Sequence, residues 1–328
     1  MKIALISDNL TRDSLEAEDN TSIVNINKYN YKIVFKFWKP DFLFIESAWE
    51  GKNNSWKFGV ASYPGHPERN NNLLKKVIKY AKSLNIPTVF WNKEDGVHFD
   101  RFIDSAKLCD YIFTVDINSV PRYKAIVDSN VIVDTLIFAV QAKFHNFTGF
   151  HFKSNEVDFV GSYSRHTHDA RREWQDLFFS SAAEYSHLVV FDRNSHKTAK
   201  EYQYPDLKNI TMKSSVKYED TAQVYKDYLI SLNVNTIIDS KTMFSRRLVE
   251  IIACGGIAVT NPSPAVDNYF KDYCWVINNK EEMDALLFRL KNGPLQSDKI
   301  KMEKGAKYIA DNHTWTHRLN QIKEKLKI

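Results

Sequence analysis

Short apolar runs alternate, along almost the whole chain, with stretches whose apolar residues recur every three or four positions. The first pattern reads as buried strand and the second as a helix with one packed face, so the alternation predicts βαβ units and parallel sheets. In the first half, strands are predicted over 2–7, 42–46, 88–91, 111–115 and 130–135. Leu73, Leu74, Val77, Ile78, Ala81 and Leu84 lay one apolar stripe along a helix over 71–84, and Asn85 and Pro87 stop it. A second set opens at 157–161, with further strands at 187–191, 228–233, 257–260 and 274–277. Its helices are predicted over 169–185, 222–226, 245–253, 281–290 and from 297 to the end. The segment 144–156 is aromatic and polar without a clear period and reads as an interdomain linker.

The expected architecture is therefore α/β with two domains, residues 1–150 and 151–328, and a closing helix at about 306–328 that packs back on the first domain. Ligands of open α/β sheets sit beyond the carboxyl ends of the strands, so two such units in tandem imply a cleft between them. A length of 328 residues lets each domain bury its own core. At 43% apolar and 26% charged, the composition is globular. No apolar run approaches the roughly 18 residues of a membrane span. The opening run from Met1 meets Asp8 at once and reads as a buried strand rather than a signal peptide.

Cys109, Cys254 and Cys274 lie far apart, without the spacing of a zinc site or a disulfide framework, which points to a reducing, cytoplasmic setting. A net charge of +5 is mild and the lysines are scattered, so no nucleic-acid partner is expected. The lysine-richer tail from Lys299 to Lys327 reads as a solvated helix face; weak attraction to an anionic membrane or a polyanionic acceptor is its lesser reading.

Most of the chemistry is concentrated in residues 240–260. Ser245 is placed to cap a short helix, Gly255 and Gly256 to end it, and an apolar strand follows. Arg247 and Glu250, three apart, share a face near the helix start. Unpaired N–H groups and partial positive charge at such a start, with Arg246 and Arg247 beside it, suit a diphosphate. Glu250, one turn further in, is placed to accept from ribose hydroxyls. The plainer reading is an Arg–Glu pair on an amphipathic surface helix.

This run, Ser-Arg-Arg-Leu-Val-Glu-Ile-Ile-Ala-Cys-Gly-Gly from Ser245, resembles the donor-site signature of the CgeB-like, spore-maturation glycosyltransferases. Val157 to Tyr163 with Arg171, Tyr228 to Asn233, Trp91 to Asp95 with Asp110 to Thr114, and His313-Thr314-Trp315 with Arg318 are similar to that family in order and spacing. The resemblance implies the GT-B arrangement of two Rossmann-like domains facing a cleft. It also implies transfer of a sugar from a nucleotide sugar, UDP-linked by expectation, to a glycan or protein hydroxyl. Many retaining members of the wider class carry a second glutamate seven residues before the ribose-binding one. Met243 stands there, so that paired-glutamate mechanism does not carry over and the stereochemistry stays open.

The donor half then reads residue by residue. Gly161 lets backbone approach a phosphate, Ser162 adds a hydroxyl at the same turn, and Arg165 follows in the loop. Tyr218 either stacks on a nucleobase or packs under its loop; Asn233 either faces the ligand or forms a turn. Helix dipole and arginines can stabilise the leaving diphosphate without a metal. There is no Asp-x-Asp, and the pairs His166/His168 and His313/His317 read as surface or capping residues, so neither metal nor cofactor is expected. For the general base, Asp95 and Glu94 rank ahead of Asp8 and Glu46, with His66 and His98 in nearby loops. Trp49, Trp56, Tyr63 and Trp91 serve either as a sugar platform or as core. A nucleotide or nucleotide-sugar binding module without transferase activity is the alternative function.

Overall fold

The computed structural model describes residues 1–328, which form two compact units: Met1–Gln141 with Trp315–Ile328, and Ala142–Thr314. Each is built on a six-stranded, fully parallel sheet. The fold is thus α/β with two Rossmann-like units, as expected, although the units divide at 141/142 rather than 150/151.

In the first unit the strands are β1 (Lys2–Ile6), β2 (Ser22–Asn25), β3 (Phe42–Glu46), β4 (Thr88–Asn92), β5 (Tyr111–Thr114) and β6 (Ile132–Thr135), in the order β2-β1-β3-β4-β5-β6. The central strands are buried on both faces, which is why they read as unbroken apolar runs. The helix Asn72–Ser83 buries Leu74, Val77, Ile78 and Ala81, the stripe read from its sequence.

The second unit contains β7 (Ser154–Gly161), β8 (Leu188–Asp192), β9 (Ile210–Ser214), β10 (Tyr228–Asn233), β11 (Ile257–Thr260) and β12 (Trp275–Val276), in the order β12-β11-β10-β7-β8-β9. The order of strand succession reverses between β7 and β10, with β8 and β9 added on one side and β11 and β12 on the other. The carboxyl ends of β7 and β10, Gly161 and Asn233, therefore flank the point where ligands of such sheets bind.

Two expectations change. The segment 144–156 is not a linker: Phe150 and Phe152 pack on the core of the second unit, His145 is buried there, and Ser154 already begins β7. The closing helix is two helices, Gln296–Asn312 and Trp315–Leu326. The second belongs to the first unit: Trp315 meets Trp91 edge-on at 5.3 Å, Arg318 Nε donates to Ile137 O at 2.9 Å, and Gln321 Nε2 to Thr135 O at 2.8 Å.

Candidate functional site

The helix Arg246–Cys254 starts beyond the carboxyl end of β10 and ends at Gly255, whose φ of +77° lets Gly255 and Gly256 donate back to Ile252 O and Ile251 O. Ser245 occupies the cap position, but its hydroxyl makes no capping bond. Its N–H is instead held by Asn235 Oδ1 at 2.8 Å. Asn235 belongs to a buried amide network in which Asn233 Nδ2 donates to Asn235 Oδ1 and Thr260 Oγ1, and Asn235 N donates to Asn261 Oδ1. Asn233 is thus more than a turn former: it ties β10 to β11 and fixes the origin of the helix, and its own Oδ1 stays buried without a partner.

Arg247 turns back to β7. Its Nε donates to Val160 O at 2.6 Å and its guanidinium lies over Phe159, 4.6 Å from the ring centre. Gly161 makes this approach feasible, since a Cβ there would lie 2.7 Å from Arg247 Nη2 and 2.6 Å from Phe159 Cζ. Ser162 is a hub, though chiefly as an acceptor: its carbonyl takes bonds from Arg171 Nη2 at 3.3 Å and Gln175 Nε2 at 3.1 Å, and its Oγ from Arg193 Nη2 at 3.2 Å.

Three guanidinium groups therefore converge on the Gly161-Ser162 turn. Arg171 and Arg247 make no ion pair, and each keeps a buried nitrogen (Nε and Nη1) without a hydrogen-bond partner. Burial, then the repulsion of Arg247 and Arg193, pushes the Arg171 pKa down to about 10. Two carboxylates lie close by: Asp158, buried and bonded by Ser231 Oγ, with burial pushing its pKa up to about 7, and Asp192 at the end of β8 beside Arg193, which burial also pushes upward. Positive charge held together in this way is the electrostatic condition for binding an anion.

Arg246, Arg247 and Glu250 do not act as one face. Glu250 is buried, with Oε1 2.7 Å from Arg246 Nε one turn earlier, while Arg247 points away to β7. Arg246 lies over Tyr218, 4.9 Å from its centre, and the Tyr218 ring also meets His145 at 5.1 Å and Phe144 at 5.9 Å. Tyr218 thus walls the Glu250 side of the helix start. Arg165 is drawn aside, donating to Gln203 O and Tyr204 O, and stitches two loops together.

Arg193 was not foreseen, and Arg171 had entered only through a resemblance. Arg193 directly follows β8, so it stands at the carboxyl end of the same sheet; Arg171 is in the first turn of the helix Asp169–Tyr185. Strand-end position was the available signal.

In the first unit, the carboxyl ends of β1, β3 and β4 hold Asp8, Glu46 and Lys93. Asp8 clamps the loop after β3, accepting from the N–H groups of Trp49, Glu50 and Gly51. Burial works upward on its pKa, but Lys93 and these bonds outweigh it. Glu46, fully buried, accepts from Thr11 Oγ1 and Asp8 N and pairs with Lys93 Nζ at 2.9 Å. Both are occupied in holding structure.

Asp95 is fully enclosed: its Oδ1 accepts from Asn92 Nδ2 at 2.7 Å and Tyr123 OH at 3.1 Å, and burial pushes its pKa up to about 7. Glu94 beside it is partly exposed. His98 is half-buried against Trp49, and burial, then Arg101, lowers its pKa, leaving a neutral imidazole at pH 7. Trp56 and Trp91 are core, their indole N–H groups spent on Ile26 O and Leu136 O; Trp49 and Tyr63 remain partly open. Nowhere do three or more His, Cys, Asp or Glu side chains gather as a metal site.

Two parallel six-stranded sheets with flanking helices define the chain as GT-B in fold. The comparisons agree. A family described as glycosyl transferase-like matches residues 167–324, just under half of the chain, a span that starts after β7 and the Gly161-Ser162 turn and carries Arg171, Arg193 and Arg247. Among solved structures, an alpha-glucosyltransferase in complex with UDP-glucose and DNA containing an abasic site superposes with a TM-score of 0.67 at 11% identity, covering 100% of this chain and 99% of that one. A DNA-modifying beta-glucosyltransferase, studied with and without uridine diphosphoglucose, gives a TM-score of 0.59 at 13% identity over 100% of both chains. A glycosyltransferase from Rickettsia africae gives 0.56 at 11% identity, covering 99% of this chain and 97% of that one. No curated protein matches the sequence. At these identities the structural likeness concerns the fold, and with the family match it supports glycosyl transfer.

Proposed function

We propose that the protein is a glycosyltransferase that takes its sugar from a nucleoside diphosphate donor, UDP-linked, and passes it to a glycan or protein hydroxyl. The observation that carries this reading is the convergence of Arg171, Arg193 and Arg247 on the Gly161-Ser162 turn, at the reversal point of the second sheet. In the reaction the acceptor oxygen bonds to the anomeric carbon as its bond to the diphosphate breaks. The electron pair leaves with UDP, and the acceptor proton passes to a base. The arginines neutralise the charge growing on the diphosphate, so the transfer is proposed to run without a metal. Tyr218, with Glu250 behind it, would receive the uridine, and Ser245 with Asn233 would fix the helix start against the phosphates.

For the base we retain Glu94, with Asp95 beneath it acting through the loop that both share. Its accessible carboxylate supports Glu94; His98 is the alternative acceptor of the proton. The run from Ser245 to Gly256 supports placing the protein with the CgeB-like family. UDP-glucose complexes among the structures of similar fold support the uridine nucleotide.

The test is release of UDP from UDP-sugars, followed by mass, with oligosaccharide and peptide acceptors and with chelator present. The proposal expects UDP release and a product heavier by one sugar, with Arg247→Ala abolishing both. Tight UDP binding without any sugar transfer across the common UDP-sugars would favour the binding-module reading.

A further inference from the structure

The helical segment that joins β2 to β3 turns a row of large apolar side chains to solvent. Tyr29, Ile33 and Phe37, spaced four apart, are 78%, 63% and 71% exposed, while Val34 and Phe35 of the same segment are buried. Single exposed apolar residues are ordinary; Ile33 and Phe37 on the helical segment, with Tyr29 on the turn that leads into it, form a group that marks a surface meeting something apolar. The segment is also unusual in geometry. Val34–Trp38 forms a π-helical turn, closed by Lys39 N donating to Val34 O at 3.1 Å, with Lys39 left-handed at φ +53°. Asn27 Oδ1 accepts from the N–H groups of Tyr29 and Asn30 and holds the approach in place.

Lysines flank the row. Lys28, Lys32, Lys36 and Lys39 are exposed and none forms an ion pair; Lys28 and Lys36 rest 4.8 and 5.5 Å from the Tyr29 and Phe37 rings. Between Asp19 and Asp41 there is no acidic residue. The same surface runs into a hollow of about 740 Å³ whose wall carries Lys28 and Lys52 among asparagine amides, with Glu16, 3.9 Å from Lys52, its one carboxylate. Ile23, Val24, Ile26 and Tyr29 supply the apolar part of the same wall, so the hollow mixes lysine and amide groups that suit headgroup phosphates with apolar surface that suits the adjoining acyl region.

We propose that residues 28–39 are a membrane-surface docking element, seating Tyr29, Ile33 and Phe37 among the headgroups of an anionic bilayer while the four lysines pair with lipid phosphates. Aromatic and branched side chains ringed by lysine are the composition of helices that lie in the interface plane. Each lysine near an anionic surface strengthens partitioning about five-fold. A second copy of this chain would set lysine against lysine at the same patch, which disfavours that occupant. The tail from Lys299 to Lys327, where sequence had placed any membrane attraction, is not this surface: its second helix packs on the first unit through Trp315 and Arg318.

The experiment is sedimentation of the full chain with vesicles of phosphatidylcholine alone and with about one-third phosphatidylglycerol. The wild type should sediment with the anionic vesicles and be released by salt. Ile33→Ser with Phe37→Ser should abolish binding, and Lys32→Gln with Lys36→Gln should weaken it about twenty-five-fold. Melting temperature and far-UV circular dichroism should be unchanged in all of them, which shows that each variant is folded, and UDP affinity, assigned to the other unit, should not move, which separates this proposal from the sugar-transfer reading. No sedimentation with either vesicle, equal binding to both, or a self-association in solution that Phe37→Ser removes would each overturn it.

Discussion

Replacing Arg247 with methionine tests the arginine cluster directly. Methionine keeps an unbranched stem over Phe159 and removes the guanidinium, which donates to Val160 O and presses on Arg171. In the ligand-free unit Arg171 is held at about 10, from an ordinary value above 12, by burial and then by Arg247 and Arg193. That drop corresponds to about 3 kcal/mol of disfavoured charge as an upper figure, since solvent on the open side screens part of it. Removing Arg247 relieves some of this and loses one hydrogen bond of about 1 kcal/mol. The ligand-free melting temperature should therefore stay nearly constant. A bound diphosphate would lose a charge-assisted contact worth about 2 kcal/mol, so UDP affinity should fall roughly thirty-fold. Titration calorimetry with UDP and with uridine separates the causes, because uridine carries no phosphate and its affinity should barely move. If uridine and UDP weaken equally, or if UDP does not weaken at all, the three guanidinium groups are not a diphosphate site.

Gly161→Ala should lower both UDP affinity and stability, by about 1–3 kcal/mol in the latter, because the new methyl would meet Phe159 and displace Arg247; unchanged urea unfolding would contradict this. Asp158→Asn should raise stability in a pH-dependent way. The folded carboxyl titrates near 7 and the unfolded one near 4, so its stabilising protonated form is present below about pH 4 and lost as pH rises through 7. The variant's advantage should grow across that window to at most about 4 kcal/mol and then level off, and a pH-independent difference in melting temperature would refute it. Lys93→Met should cost about 3–5 kcal/mol by taking from buried Glu46 the cation that offsets its desolvation, with much of the loss recovered by adding Glu46→Gln. Glu94→Gln should suppress sugar transfer while leaving UDP affinity unchanged; retained turnover would pass the role to His98.

Much of the fold was legible because a central strand of a parallel sheet is covered on both faces and must be apolar throughout. The sequence located β3, β10 and β11 to the residue, and the helices Asn72–Ser83 and Asp169–Tyr185 nearly so. The strands it did not show, β2 and β9, each form one edge of their sheet, are half-buried or exposed, and carry the polar runs Ser-Ile-Val-Asn and Ile-Thr-Met-Lys-Ser. The helix start at Ser245 was equally legible from its glycine stop and its arginines.

What the chain alone determined, then, was the order of buried strands and the place where an arginine-bearing helix begins, since both follow from local composition. Which side chains meet was decided only by tertiary structure. The i+4 geometry gave Glu250 to Arg246 rather than Arg247, and the parallel registry of β7 with β8 brought Arg193 to Ser162 from 31 residues away. Burial closed Asp95 while leaving Glu94 open, although the two are adjacent in sequence. Distance along a chain sets which residues share an element, whereas charge pairing and desolvation depend on distances through space, and those exist only once the sheets have formed.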